Sequence, residues 1–279
     1  MAKKPHDPTF TIDRYVSSTT GLTLEPQGKA LMHERLMEQQ TVFAFEEYAR
    51  RIHMPLPLPH IDLAPLRASY PRCLDMPLRL AGEHDYHLPE EWTGLASLLE
   101  HLIAQEHATN PNWAEYHTYL TIDCKMVHAA EQQRHGGLHV DGFQGARIQP
   151  KTRITRNYVM TTNGGTRFYP QRFIVADETR FNVFQGFDIQ AERYEIAEEN
   201  VAYFMDAYCV HESGIAERDA LRTFLRLTYD LKRFDRAGNT HNAMLDYDWP
   251  MVGRAVHETV ATPNYIDLEN SPYFPEGEM

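Results

Sequence analysis

Cysteine is scarce in this sequence: three residues, Cys73, Cys124 and Cys209, are spread over 279 positions. They lie far apart, and no C-x-x-C pair occurs among them. Disulfide-stapled proteins and thiolate zinc sites need paired, closely spaced cysteines, so both classes are disfavoured. A sparse, odd set of thiols is typical of a protein kept in a reducing compartment.

Long apolar runs are also missing. No stretch approaches the roughly 18 uninterrupted apolar residues that a membrane helix needs, and no apolar segment follows the charged residues 1–5, as a secretory signal would require. We therefore expect a soluble, cytoplasmic protein with no membrane partner. The G-x-S-x-G, H-E-x-x-H, Walker A and G-x-G-x-x-G patterns are absent too, which disfavours a hydrolase.

Positive charge is in deficit, since 27 Lys and Arg against 39 Asp and Glu give a net charge of −12. A negative field repels phosphate backbones, so a nucleic-acid partner is disfavoured. One basic cluster of five residues falls within 21 positions: Arg147, Lys151, Arg153, Arg156 and Arg167. This cluster is either a solvated face of strands and loops or a binding surface for a small anionic substrate.

The periodicity of apolar residues changes near residue 117. Before it, helical spacing predicts one helix over residues 26–53, ended by the Pro-rich segment 54–59, and a second from Pro89 to about His107. After it, a period of two predicts strands. The predicted strands are 117–126, 138–143, 154–161, 166–175, 181–185, 200–205 and 221–231.

This order predicts one α+β domain in three parts. Residues 1–116 form a mainly helical part, residues 117–235 an antiparallel double sheet or barrel, and residues 236–279 an irregular tail. The tail is a candidate lid over a site or a candidate contact in a homodimer.

The strongest chemical signal is the sequence GGLHVDG at residues 136–142. Residues two apart in a strand share a face, so His139 and Asp141 can converge on one point. Imidazole and carboxylate ligands suit ferrous iron, and three facial ligands leave three positions open. His211, at the close of an apolar segment, is the best candidate for the third ligand. A second H-x-D copy at residues 60–62 lies outside the predicted sheet, and we interpret it as structural.

Two arginines follow His211 at plus eleven and plus fifteen, Arg222 and Arg226. A spacing of four places both guanidinium groups on one face of the strand at 221–231. An arginine on an interior face needs an anionic partner, because an unpaired buried charge is costly. That partner is either a carboxylate side chain of the protein or a dicarboxylate cosubstrate held in a bidentate fork.

As a set, His139, Asp141, His211 about seventy residues later, and the two arginines resemble the Fe(II)/2-oxoglutarate-dependent dioxygenase superfamily. The resemblance covers about half of the chain and implies a double-stranded β-helix, or jelly roll, with iron at its open end. It implies that His139, Asp141 and His211 ligate the metal and act in catalysis. It also implies that Arg226, or alternatively Arg222, holds 2-oxoglutarate.

The chemistry implied by this resemblance is oxidation of a substrate C–H bond by dioxygen, most often hydroxylation. Because Asp141 is present, the halogenase variant of the family is disfavoured. Tyr158 and Thr162 are candidate donors to 2-oxoglutarate, and Gln144, Arg147 and Tyr169 are candidate substrate-binding residues. Each of these five is equally compatible with an ordinary strand or turn position.

Two alternatives remain. A cupin-type metal enzyme would share the jelly roll without using 2-oxoglutarate, but it gives Arg222 and Arg226 no task. A non-catalytic jelly-roll binding module would bind neither iron nor 2-oxoglutarate. For an oxygenase, the expected substrate is a small polar metabolite such as an amino acid or a natural-product intermediate, on the analogy of fold alone.

Overall fold

The computed structural model describes residues 9–10, 47–58, 61–133, 138–141, 155–174, 189–231, 233–235 and 237–251. Its α-helices are α1 (Glu47–Arg50) and α2 (Ala96–Thr109), and 3-10 turns cover Ala64–Arg67, Glu90–Leu95 and Trp113–Glu115. Its strands are β1 (Thr9–Phe10), β2 (Leu56–Leu58), β3 (Cys73–Arg79), β4 (Tyr86–His87), β5 (His117–Val127), β6 (Arg156–Thr161), β7 (Arg167–Phe168), β8 (Glu195–Ile196), β9 (Ala202–Asp206), β10 (His211–Glu212) and β11 (Ala220–Asp230).

Most of these strands belong to two antiparallel sheets. The larger sheet has the order β2-β9-β6-β11-β5-β3, the smaller one has the order β10-β7-β8, and β1 pairs with β4 alone. From β5 onward the chain passes back and forth between the two sheets, with β6, β9 and β11 in the larger and β7, β8 and β10 in the smaller. The described chain is therefore mainly antiparallel sheet with few helices, as in a β-sandwich core.

Strand β11 lies at the centre of the larger sheet because β5 pairs with all eleven of its residues on one side and β6 pairs with it on the other. Its alternate residues Leu225, Leu227 and Tyr229 are fully buried on one face. They join the apolar side of α2, including Leu99 and Leu102, in the main hydrophobic core. Burial of these residues stabilises the packing of α2 on the sheet, at roughly 25 cal/mol for each Å² of apolar surface removed from water.

The opposite face of the larger sheet carries a second, smaller core. Val159 of β6 and Met205 of β9 pack there with Phe168 of the smaller sheet and with Cys209. Side chains alternate between faces along a strand, so the residues next to Leu225 and Leu227 point to this second side. Any site between the two sheets is therefore built on the face opposite α2.

The helix predicted from Pro89 to His107 corresponds to the 3-10 turn at Glu90–Leu95 followed by α2. The predicted strands at 117–126, 154–161, 200–205 and 221–231 overlap β5, β6, β9 and β11. Of the strand predicted at 166–175, the described part, 166–174, forms only the two-residue β7, and 181–185 lies outside the described residues. Of the helix predicted over 26–53, the described part is helical at Glu47–Arg50 and not at 51–53.

Residues 1–116 contain strands that the sequence did not predict, namely β1, β2, β3 and β4. Strand β2 falls in the Pro-rich segment and lies at the edge of the larger sheet, where a missing N–H is tolerated. In the tail, the buried Asn242 donates hydrogen bonds to the carbonyls of Pro77 and His87 at 2.8 and 2.9 Å. Residues 237–251 thus pack against the β3–β4 side of the fold.

No helix within the described ranges is both long and apolar enough to cross a lipid bilayer.

Candidate metal centre

A pair of backbone hydrogen bonds brings His139 and His211 side by side. The amide of His139 donates to the carbonyl of His211 at 3.0 Å, and the amide of His211 donates back at 2.9 Å. This antiparallel bridge extends the smaller sheet beyond β10 and sets the two imidazole centroids 4.3 Å apart. The two rings therefore share a face because their strands pair at these residues.

Asp141 completes the cluster from two residues along the same segment. Its Oδ2 lies 3.9 Å from Nε2 of His211, and one ligand atom from each of the three side chains falls within 4.8 Å of the others. The structure thus brings together the three residues that the sequence analysis selected as ligands. Two imidazole nitrogens and one carboxylate oxygen form the donor set expected for non-haem ferrous iron.

The turn before β10 fixes the orientation of His211. Its Nδ1 lies 2.9 Å from the carbonyl oxygen of Cys209, so Nδ1–H donates there and Nε2 keeps its lone pair for a metal. Asp206 stabilises this turn, because its Oδ1 accepts the amide of Tyr208 at 3.0 Å and the thiol of Cys209 at 3.3 Å. Behind it, the buried His53 places Nδ1 3.6 Å from Oδ2 of Asp206. Neither Asp206 nor His53 was selected from the sequence.

Arg226 is the charged neighbour of the metal-ligand carboxylate. Its Nη1 lies 2.8 Å from Oδ1 of Asp141, and its Nη2 lies 3.0 Å from Oδ1 of Asp75. Burial alone would raise the pKa of Asp141, but Arg226 and the two imidazoles together lower it by more than burial raises it. The pKa of this carboxyl therefore lies well below its ordinary value, and the carboxyl is ionised at neutral pH. An ionised carboxylate is the form that ligates a metal.

The Nε of Arg226 is buried and has no hydrogen-bond partner among the described residues. A buried N–H without an acceptor is costly, and it marks a place where a bound acceptor would fit. A ligand carboxylate beside the three candidate metal ligands would satisfy that N–H. The residues present therefore fit a metal ion together with an anionic cosubstrate.

Arg222 lies on the same face of β11 as Arg226, as the spacing predicted, but it has a different task. Its guanidinium donates to the carbonyls of Asn163 and Gly164, the latter at 2.9 Å from Nη2, and to the side-chain oxygen of Gln133. Arg222 thus fastens the turn after β6 to β11. These acceptors belong to the protein, so the geometry favours Arg226 over Arg222 as the cosubstrate residue.

Tyr158 and Thr162 are not brought to the metal ligands. Tyr158 points to the α2 face of the sheet, where it is fully buried and its hydroxyl donates to Glu106 at 2.8 Å. Thr162 accepts the amide of Thr223 at 2.9 Å and lines a surface cavity of about 290 Å³, which none of the three candidate ligands lines. The hydroxyls of both residues therefore hydrogen-bond to groups of the protein, away from the three candidate ligands.

The candidate substrate residues are only partly visible. Gln144 and Arg147 lie outside the described residues. The Tyr169 hydroxyl donates a hydrogen bond to Glu212. Glu212 follows His211 in β10, so its side chain points to the opposite face of the strand from the His211 imidazole. The structure therefore places Tyr169 on the outer face of the smaller sheet, away from the two imidazoles.

The basic cluster does not form one surface in the described chain. Arg156 is fully buried and pairs with Glu106 at 2.7 Å, whereas Arg167 pairs with Glu212 at 3.4 Å on the smaller sheet. Its other three members lie outside the described residues. In the second H-x-D copy, Asp62 is exposed and accepts the amide of Ala64 at 2.8 Å, as a local turn residue does.

No protein-family model matches the chain, and no curated protein matches it in sequence. Matches among solved structures include EvdO2 from Micromonospora carbonacea var. aurantiaca, with a TM-score of 0.39 and 13% identity over 74% of this chain and 91% of that one. An oxidoreductase of the 2OG-Fe(II) oxygenase family from Burkholderia pseudomallei gives 0.35 and 14%, over 75% and 93%. The nickel complex of the non-haem monooxygenase ThoJ gives 0.29 and 13%, over 73% and 67%. At such low scores and identities, the likeness assigns no family to this chain.

Proposed function

We propose that this protein is an Fe(II)/2-oxoglutarate-dependent oxygenase that hydroxylates a C–H bond of a small polar metabolite. The observation that carries the proposal is the convergence of His139, Asp141 and His211, whose ligand atoms lie within 4.8 Å of one another. Such a triad holds one ferrous ion and leaves positions for a cosubstrate and dioxygen. When bound, iron would activate dioxygen, which is the oxidant of the C–H bond, and 2-oxoglutarate would be the co-reductant.

The strand order supports a double-stranded β-helix for the core. Eight segments run from β5 through residues 138–141 to β11 and divide equally between the two sheets, with every pairing among them antiparallel. Successive segments change sheet except β7 and β8, which pair with each other in the smaller sheet. A jelly roll has eight strands in two such sheets. In that fold the candidate ligands lie on the inner face of the smaller sheet, opposite Arg226 on the larger one.

In this proposal each residue has a defined task. His139, Asp141 and His211 hold the metal, the carbonyl of Cys209 keeps the His211 ring oriented, and Arg226 offers its buried Nε–H to a carboxylate of 2-oxoglutarate. An amino acid or a natural-product intermediate is the proposed substrate class, a small-molecule partner suited to an acidic protein.

A second candidate is a metal enzyme of cupin type that does not use 2-oxoglutarate. The observation in its favour is that both Nη atoms of Arg226 already contact carboxylates of the protein, Asp141 and Asp75. The two candidates agree on the metal and disagree only on the cosubstrate, so one binding experiment separates them.

The experiment is anaerobic titration of the Fe(II)-loaded protein with 2-oxoglutarate, followed by visible absorption. A 2-oxo acid chelated to ferrous iron gives a weak charge-transfer band, and we expect that band with the wild type but not with His211→Ala. Arg226→Ala should weaken the binding of 2-oxoglutarate far more than Arg222→Ala, because Arg222 is engaged by the turn at 163–164.

Iron binding without any band at saturating 2-oxoglutarate would favour the cupin-type alternative. Absence of iron binding by the wild type would refute both metal-dependent functions. Mn(II) binding can be measured from the increase in unfolding free energy that it causes, and this readout needs no turnover.

A further inference from the structure

Asp75 reaches Arg226 from an irregular point in β3. The pairing of β3 with β5 shifts register between Cys73 and Met76, and Asp75 within that bulge has a φ of 45°. Aspartate tolerates this left-handed conformation better than most residues. Bulges beside functional sites commonly re-aim a side chain, and this one directs a carboxylate towards Arg226.

The Asp75 carboxylate is fixed by the fold. It is 1% exposed, and its Oδ1 accepts hydrogen bonds from Nη2 of Arg226 at 3.0 Å and from the Thr121 hydroxyl at 2.8 Å. The amide of Asp75 donates to the same hydroxyl at 3.0 Å. Thr121 and Arg226 are direct cross-strand partners, so these two donors to the carboxylate lie side by side on adjacent strands of the larger sheet.

The charges in this cluster reduce the advantage that a dianion would have over a monoanion at Arg226. Arg226 with Asp75 and Asp141 carries a net charge of −1, which a divalent metal ion changes to +1. Binding of a singly charged ligand then gives a neutral site, whereas doubly charged 2-oxoglutarate leaves an uncompensated negative charge in a buried position. In addition, Asp75 and Asp141 each engage one Nη atom of Arg226, and its buried Nε–H has no partner among the described residues and is open to a ligand carboxylate.

We propose that Asp75 is a specificity-determining residue of the cosubstrate site, and that it competes with the distal carboxylate of a dicarboxylic 2-oxo acid for Arg226. This inference rests on the proposed function and deepens it. Because Asp75 is present, the site prefers a 2-oxo acid with two carboxylates over one with a single carboxylate less strongly than it would with Arg226 alone. Removal of the Asp75 charge restores the preference for the dicarboxylate.

The test compares two probes on Mn(II)-loaded protein by calorimetric titration: 2-oxoglutarate, with two carboxylates, and 2-oxobutyrate, with one. Asp75→Asn should lower the Kd of 2-oxoglutarate by about tenfold, since nearby like charges in a partly buried site interact by more than the 1.4 kcal/mol that a tenfold change represents. The Kd of 2-oxobutyrate should change little, so the ratio of the two constants reports specificity independently of protein stability.

Two further variants sharpen the comparison. Asp75→Ala removes the charge without an isosteric amide and should shift the ratio in the same direction. Asp123→Asn removes a carboxylate two residues beyond Thr121 on the same side of β5, without a contact to Arg226 in the described structure, and should leave the ratio unchanged.

An unchanged ratio in both Asp75 variants, or weaker binding of 2-oxoglutarate alone, would overturn the proposal and leave Asp75 as a support for Arg226. In that case the wild type still binds 2-oxoglutarate, and the proposed function stands. If no variant binds either 2-oxo acid while Mn(II) binds, the proposed cosubstrate is wrong and the Asp75 inference falls with it.

Discussion

The contact between α2 and the larger sheet includes a buried ion pair whose removal has a calculable consequence. Glu106 of α2 and Arg156 of β6 are both 0% exposed, with Oε1 and Nε 2.7 Å apart. The same carboxylate accepts hydrogen bonds from Tyr158 at 2.8 Å and from Asn110 at 2.7 Å. Burial lowers the pKa of Arg156, but Glu106 more than offsets this and raises it, so the guanidinium remains charged.

Replacement of Glu106 by Ala leaves that guanidinium buried without its counter-charge. Breaking such a pair from one side costs about 3–5 kcal/mol, which is a large part of the roughly 5–15 kcal/mol by which domains are stable. Glu106→Gln keeps acceptor capacity and should cost less. Tyr158→Phe removes one hydrogen bond to a charged group, worth about 1.5–3 kcal/mol.

The assay is equilibrium urea unfolding, with the free energy of unfolding obtained by linear extrapolation. Glu100→Ala on the same helix is the control, and its cost should stay within about 0.5 kcal/mol. The reasoning fails if Glu106→Ala costs less than about 1 kcal/mol. It also fails if Tyr158→Phe leaves stability unchanged but weakens 2-oxoglutarate binding, because Tyr158 would then face the cosubstrate.

Two other predictions concern the metal centre and the pH response. Asp206→Ala should raise the Kd of Mn(II) by about 10- to 100-fold, because the turn that orients His211 through Cys209 loses its acceptor; rescue by Asp206→Asn would support this positioning role, and an unchanged Kd would contradict it. Burial lowers the pKa of His107 to about 3 and that of His117 to about 4. Below about pH 6.5 these two histidines are protonated in the unfolded chain but remain neutral in the native state. On acidification the free energy of unfolding should therefore fall by roughly 1.4 kcal/mol per pH unit for each histidine. Urea midpoints between about pH 7 and 5 test this: His107→Gln should flatten the slope, and greater stability at the lower pH would refute it.

The parts of the fold with strong alternation could be predicted from sequence. Strands β5 and β11 each run for eleven residues with one apolar face, and the pattern located both of them. The same period of two placed His139 and Asp141 on one face. What the pattern could not supply was the hydrogen-bonded bridge to His211, since pairing between distant segments is decided by the whole sheet.

The parts that escaped prediction lack such a pattern. Strand β3 is buried at six of its seven positions, so its sequence shows no alternation between two faces. Asp75 in its bulge therefore carried no signal of its own. Tyr158 was misplaced for a different reason: it pairs with Leu227, and that register turns it towards α2 instead of the metal ligands. The neighbours Asn157 and Val159 are the residues of β6 that point towards the smaller sheet, and Tyr158 between them must therefore point away from it.

Arg222 and Arg226 show how far spacing alone can take such an inference. Both lie on one face of β11, and both are buried. Arg222 stands opposite Lys125 near the end of the strand, where the carbonyls of a turn satisfy it, whereas Arg226 stands opposite Thr121 and Val159 between two carboxylates. The sequence determines the face, but register determines the partner. A buried guanidinium is informative about function only when its partners are known, and Arg226 is the more informative of the two because one of its partners is itself a candidate metal ligand.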